Sequence, residues 1–365
     1  MNELCGIEDC FFRLLQIAIG QTAYNQVEIS DKDWSAIYDL AIEQSLVGVI
    51  LRAVDILGKN GNSLPKEDLL FQWIGDGEII KNRNTEVNHA CEQMTSWFKS
   101  KGYSSCILKG QGVACLYTNP EDRQAGDIDI WVNADRDEII KIMRNDGIDV
   151  TFVDDVNSHA SFYDDIDVEV HFRPTWMYNP IANRKVQRWI MANKDVQMVH
   201  FFEKCGFCYP TIGFNIVFSL LHIFRHVFME GIGLRQLTDY YFILTHSTRE
   251  ERNDAFHVLQ SFGLSKFVAT VMYIMRRVFD IDKDFLLCEP NVGEGEFLLS
   301  EILRGGNFGF YDDRIKRIPD EHRWRRGLEN IKRNMLFLRH YPNEVVWIPA
   351  WKVWHLCWRK WKGYL

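Results

Sequence analysis

Apolar residues recur at helical spacing from the N-terminus to about position 86, as in Phe11, Leu14, Leu15 and Ala18 and again in Ile37, Leu40, Ala41, Leu46 and Val47. Helices with one buried stripe are expected over this stretch. Ser30 followed by a carboxylate at Asp33 has the form of a loose capping box and predicts a helix start, and 58–65 reads as a loop. Between 88 and 174 helical and extended patterns alternate. The pattern predicts helices over 89–101, 112–117 and 134–144, and strands over 104–108, 127–132, 149–153, 160–163 and 166–172. After Pro174 the helical period returns and persists to the C-terminus, with a turn at 231–233 and a Gly-rich loop at 304–309. The fold class is therefore α+β, a small mixed sheet with flanking helices plus a mainly α-helical C-terminal domain. Three parts are expected: an N-terminal helical segment over 1–87, an α/β core over 88–175 and a helical domain over 176–365.

Two of the predicted strands carry the chemistry. Residues two apart in a strand face the same side, so Asp127 and Asp129 project together while Ile128, Ile130 and Val132 enter the core. Adjacent carboxylates repel unless a cation lies between them, and their hard oxygens suit Mg²⁺. The strand over 166–172 repeats the device, with Asp165, Asp167, Glu169 and His171 on one face and Ile166, Val168, Val170 and Phe172 on the other. One of its acids completes a three-carboxylate set of the kind that holds two divalent metals for phosphoryl transfer. An Asp-x-Asp tripeptide alone also fits the start of an exposed edge strand. His171 reads as a satisfied structural histidine ahead of a base.

The upstream run Ile107-Leu-Lys-Gly110-Gln-Gly112 is a strand ending in glycine and entering a helix, a place where backbone N–H groups can hold phosphate and Lys109 adds a point charge. With Lys109, Gly110, Tyr117, Arg123, Gly126, Asp127 and Asp129 in that order, and Val-Glu-Val-His-Phe at 168–172, the chain resembles the nucleotidyltransferase superfamily of the DNA polymerase β type. It is most similar to the uncharacterised bacterial branch of that superfamily. The resemblance covers 104–174 firmly and the helical domain loosely, through Leu221-His222 and 235–239. It implies Asp127, Asp129 and Glu169 as the metal-binding catalytic carboxylates, with Glu169 preferred over Asp167, and Lys109, Gly110, Arg123 and Gly126 at the nucleotide. Arg123 carries two readings, a contact to phosphate or a pin for its loop. Better-known families have Gly-Ser or Gly-Gly after the first strand, whereas Gly110 is followed by Gln111.

At 365 residues the chain exceeds what one compact core holds, and its 47% hydrophobic and 25% charged residues are those of a globular protein. The net charge of -8 disfavours long nucleic acid as a partner. Acids in the first ten residues argue against a secretory leader, and the longest mainly apolar stretch, 212–224, falls short of the ~18 residues that span a bilayer. Nine scattered cysteines point to reduced thiols and a cytoplasmic protein. Cys205 and Cys208 followed by His222 and His226 fall within a zinc-finger spacing, but 215–228 reads as one long amphipathic helix in a large domain. There the histidines face a cleft with Arg235 and Asp239, or form an interhelical hydrogen-bond network. Trp347, Trp351, Trp354, Trp358 and Trp361 line one helical stripe beside Arg359, Lys360 and Lys362. Docking of that helix onto the protein is the simpler reading, and peripheral contact with anionic lipid is the other. The basic run at 323–326 reads as a solvated face.

Together these readings predict a metal-dependent nucleotidyltransferase that uses Mg²⁺ (or Mn²⁺) to move a nucleoside monophosphate from a nucleoside triphosphate to an acceptor hydroxyl on a small molecule or protein. The alternative is an inactive nucleotide-binding or regulatory protein of the same fold.

Overall fold

A computed structural model describes residues 6–21, 29–203, 205–314 and 323–364. The chain begins with α1 (Ile7–Ala18), α2 (Asp31–Glu43), α3 (Val47–Lys59) and the 34-residue α4 (Glu67–Ser100). The expected helix over 89–101 is the last third of α4, because buried Trp73, Ile80, Val87, Met94 and Phe98 keep one stripe covered along its whole length. Ser30 caps α2 by accepting from the Asp33 backbone N–H. The sheet module follows: β1 (Ser105–Leu108), α5 (Gly110–Ala114), β2 (Ile128–Val132), α6 (Arg136–Asn145), β3 (Val150–Val153), β4 (Asn157–Ala160) and β5 (Val168–His171).

The five strands lie in the order β1-β2-β5-β4-β3, with β2 and β5 parallel and the other pairs antiparallel. Alternation decides the faces. Ile128, Ile130, Val132, Val168 and Val170 join an apolar core with α4 and α6, so Asp129, Trp131, Glu169 and His171 turn to the opposite face. The strand expected at 160–163 sits earlier, at 157–160, because Ser158 and His159 pair with Val170 and Glu169. Phe162 and Tyr163 instead pack toward α4, where the Tyr163 hydroxyl donates to the Ala90 carbonyl.

Past the sheet come α7 (Pro180–Val199), a short hairpin β6 (Phe201–Phe202) and β7 (Phe207–Cys208), α8 (Ile212–Met229), α9 (Leu234–Thr245), α10 (Arg249–Ser261), α11 (Ser265–Phe279), α12 (Val292–Gly305), α13 (Arg323–Leu338), α14 (Pro342–Val345) and α15 (Ile348–Lys362). The hairpin interrupts the helical run expected after Pro174. The side chains of the basic run at 323–326 lie outside the described residues. Helix α8 extends to Met229 and so reaches 18 residues, long and apolar enough to cross a bilayer, but 72% of it is buried within the protein. It is the central helix of the second core, where α1–α3 and α8–α12 share one apolar cluster. Hydrogen bonds stitch the same parts together: Gln16 to the Val278 carbonyl at 3.0 Å, and Gln44 from the Leu234 N–H at 2.9 Å.

The tryptophan stripe divides. Trp351 stacks on Trp176 at 4.2 Å, and Trp358 lies under the Arg136 guanidinium at 4.7 Å. Trp347, Trp354 and Trp361, seven residues apart, point outward. Lys362 and Tyr364 reach Asp137 on α6, so α15 docks against the sheet module.

Helix α3 approaches the turn after α5 so closely that a Cβ on Gly48 would lie 2.4 Å from the Asp122 carbonyl oxygen. That neighbour is backbone and precedes Arg123. Gly48→Ala should lower unfolding free energy by about 1–3 kcal/mol through overpacking, read as the shift in a denaturant midpoint. Gly75→Ala, on an open stretch of α4, should leave it unchanged or raise it by up to ~1 kcal/mol. Equal effects of the two substitutions would contradict this packing.

Candidate active site

The in-register parallel pairing of β2 with β5 sets Asp129 beside Glu169 and Trp131 beside His171. The Asp129 carboxylate is almost fully buried and receives two cationic partners: Lys109 Nζ at 2.8 Å and His171 Nε2 at 2.7 Å. His171 Nε2 also lies 3.3 Å from Glu169, and Asn157 donates to the same carboxylate. Lys109 reaches its place because the turn from β1 into α5 puts it at φ 48°, ahead of Gly110 at φ 39°. A lysine in that region of backbone space is strained, a cost found where a side chain must be delivered to a site.

The electrostatics follow from burial and these partners. Burial would raise Asp129, but Lys109 and then the His171 hydrogen bond outweigh it and hold the carboxylate below its ordinary value. Glu169 is held well below the usual range by its hydrogen bond from His171, against the cost of burial. His171 is pushed up to about 9, since its bonds to Asp129 and Glu169 overcome the desolvation that would lower it. Asp127 takes the opposite course: burial, and then the Asp129 charge, push it up to about 6. His171 is thus a buried histidine whose Nε2 contacts both Asp129 and Glu169.

Among the described residues, Asp129, Glu169 and His171 form the one group whose ligand atoms lie close enough together, within 4.8 Å, to hold a metal ion. Asp127 is outside that tight set, in the extended residue before β2, but lines the same cleft. Asp167 is exposed, and only its backbone carbonyl takes part, accepting from Ile128 N–H. Asp165 pairs with Arg83.

The cleft runs between the sheet and the helices α8 and α9, and Lys109, Gly110, Arg123 and Gly126 all line it. Arg123 is clamped by Asp239 through Nε at 2.8 Å and Nη2 at 2.9 Å, while the Tyr117 hydroxyl donates to Asp239 at 2.7 Å. Its guanidinium is therefore occupied as a pin. Gly126 leaves room for Arg235, whose Nη1 would lie 3.4 Å from a Cβ there and donates to the Gln124 carbonyl. Gln111 is buried and donates to Asn84 and Asn88 of α4, away from the cleft. The residue in the place of the usual serine thus braces the turn.

The opposite wall brings His222, His226, Arg225, Glu230 and Arg235 to the cleft. His222 Nε2 is 3.3 Å from Lys109, and burial, then Lys109, drives its pKa well down, so it is neutral. The His226 Nδ1–H donates to Glu230, 2.9 Å away. These contacts replace the zinc reading. Cys205 is bonded to Cys115, so not all the thiols are free as expected, and α8 turns both histidines toward the cleft. Arg225 was not singled out in the sequence, although a charge inside the apolar run 216–228 is its signal. Its buried Nε has no hydrogen-bond partner, nor has that of Arg235. The cleft thus joins an acidic floor to a basic wall, an arrangement suited to a metal and a polyphosphate.

A mixed sheet with facing carboxylates on adjacent parallel strands, closed by helices, is the scaffold of a nucleotidyltransferase. The chain belongs to the family described as uncharacterised nucleotidyltransferase, matched over residues 30–280, and so to proteins of nucleoside monophosphate transfer. Among solved structures it is similar to an antigenic nucleotidyltransferase-like protein from Paracoccidioides brasiliensis. That match has 10% identity and a TM-score of 0.36, and covers 58% of this chain and 97% of that one. No curated protein matches the chain.

Two measurements probe this geometry. Asp239→Ala strands Arg123 in a buried position and should cost about 3–5 kcal/mol of stability; a loss under ~1 kcal/mol would mean that the pair is solvated. For His171, a folded pKa near 9 against the ordinary 6.5 means that its charge contributes stability fully below 6.5, lost as pH rises through about 9. In metal-free protein, the excess stability of wild type over His171→Gln should shrink across that window. A flat difference would show that His171 is neutral.

Proposed function

We propose that the protein is a divalent-metal-dependent nucleotidyltransferase that moves a nucleoside monophosphate from a nucleoside triphosphate to an acceptor hydroxyl, on a small molecule or a protein side chain. The observation that carries this reading is the juxtaposition of buried Asp129 and half-buried Glu169, with Asp127 in the same cleft, opposite Lys109, Arg225 and Arg235. The donor set fits a hard cation. Lys109 and His171 pair directly with Asp129 and Glu169, and the third carboxylate, Asp127, adds negative charge that Mg²⁺ or Mn²⁺ would neutralise. Asp127, Asp129 and Glu169 would hold the metal.

When bound, a divalent cation supplies activation of the acceptor hydroxyl and neutralisation of the triphosphate. The residues of the chain do the remaining work. Lys109, freed from Asp129, has an anion to turn to at the β1–α5 turn. Arg225 and Arg235, which line the cleft, bring positive charge to phosphate oxygens, and the Arg123–Asp239–Tyr117 network keeps Gly126 and Asp127 in position. The acceptor hydroxyl gives up its proton to water or to a carboxylate of the cluster, its oxygen forms a bond to the α-phosphorus, the bond to the bridging oxygen breaks, and pyrophosphate leaves with the pair of electrons.

The sequestered Gln111 favours a second reading, a nucleotide-binding protein without turnover, because no hydroxyl stands at the position where related families grip the triphosphate. Transfer of label from each α-labelled triphosphate, with Mg²⁺ or Mn²⁺ and cell extract as acceptor source, separates the two. Wild type should transfer label, and Asp129→Asn and Glu169→Gln should each reduce it at least ~10²-fold. Metal-dependent binding without pyrophosphate release would support the regulatory reading, and neither binding nor transfer would sink both.

A further inference from the structure

One aromatic ring stands in this charged cleft. Phe308 is the sole Phe, Tyr or Trp among the described residues that line it, and belongs to neither apolar core. It sits in the Gly-rich loop after α12 at φ 54°, ψ 28°, a left-handed conformation that glycine or asparagine normally occupies. Its neighbours are locked. Gly306, at φ 61°, has no room for a Cβ, which would lie 2.5 Å from Tyr311 and 2.9 Å from the Glu43 carbonyl. Asn307 donates to Ser45 Oγ at 2.9 Å and accepts from Gln236 at 2.9 Å. A Cβ on Gly309 would lie 2.1 Å from the Glu230 carbonyl oxygen. The loop is thereby anchored on both sides of a strained, half-buried phenylalanine that no packing requires.

The ring has polar company. The Arg235 guanidinium lies 5.8 Å from its centroid, and His226 is 5.9 Å away at 55°. Both lead back to the chemistry by a single layer of side chains. Arg235 adjoins Gly126, next to Asp127, and His226 stacks near His222, at 4.2 Å, which touches Lys109. A nucleotide places its base away from its phosphates, and the ring and the carboxylates line one cleft.

We propose that Phe308, with Arg235 against its face, is the stacking platform for the nucleobase of the bound nucleotide; this rests on the nucleotidyltransferase reading above. A π-face accepts any base, so the platform provides affinity with little choice among the four. Arg235 is placed to contribute both to the ring, as a cation over its face, and to phosphate.

The test is calorimetric titration of wild type, Phe308→Leu and Phe308→Tyr with α,β-methylene analogues of the four triphosphates and with inorganic tripolyphosphate, all with Mg²⁺. Phe308→Leu should weaken every nucleotide analogue about tenfold, while Phe308→Tyr holds wild-type affinity. Tripolyphosphate binding should stay within about twofold in all three proteins, which also shows that the cleft remains folded. Unchanged nucleotide affinity in Phe308→Leu overturns the proposal, as does an equal loss for tripolyphosphate, which would make Phe308 a brace for the cleft. Either result leaves the nucleotidyltransferase reading intact. Wild type that binds neither nucleotide nor tripolyphosphate removes that reading and the platform with it.

Discussion

Side-by-side placement of a buried and a half-buried carboxylate is the constraint around which this molecule is organised. Parallel pairing of β2 with β5 brings Asp129 and Glu169 together at neighbouring strand positions, and like charges removed from water repel strongly. The nearest compensation is local in the chain for His171, two residues after Glu169, and distant for Lys109, which a strained turn delivers from the neighbouring strand. The cluster stays ionised because its cations are as well placed as its anions.

A second circle of polar residues fixes that placement. Asn84 on α4 donates to the Glu121 and Arg123 carbonyls and accepts from Gln111, so one buried amide ties the long helix to both turns that flank the carboxylates. Asp239 on α9 does the same from the other side through Arg123 and Tyr117. Buried polar groups of this kind are tolerable when each is satisfied. Arg225 Nε and Arg235 Nε have no such partner, and both residues line the cleft.

How much of this was legible in sequence depends on the range of the interaction. The alternation in 127–132 and 166–172 assigned faces correctly because the period of a strand is a local property, and it brought Asp129, Glu169 and His171 to one side. The helical regions were equally plain from their periodicity. What escaped were pairings between distant segments. Gln111 looked like a defective phosphate contact, since nothing nearby in the chain announces that Asn84 and Asn88 bind its amide. Arg123 allows two readings in sequence, and its pairing with Asp239, 116 residues away, has no local signal. The hairpin after α7 has strands of two residues, too short to show a period. The zinc-like spacing of Cys205, Cys208, His222 and His226 ignored the direction in which α8 carries its histidines. The tryptophans form two lines because α15 packs half-buried Trp351 and Trp358 against the protein and exposes Trp347, Trp354 and Trp361.

The sharing of one apolar core by α1–α3 and α8–α12 has a consequence for the order in which a ribosome yields the molecule. Phe11, Leu14 and Leu15 emerge first, yet their cluster includes Val278 and Phe279, more than 250 residues later. The sheet module, with its own core against α4 and α6, is the earliest part able to settle. The first helices then wait with their apolar stripes uncovered until most of the chain has been made. Contacts of such high sequence separation form slowly. The acidic floor of the cleft, with Lys109 and His171 already beside it, is therefore made before the wall that α8 and α9 supply.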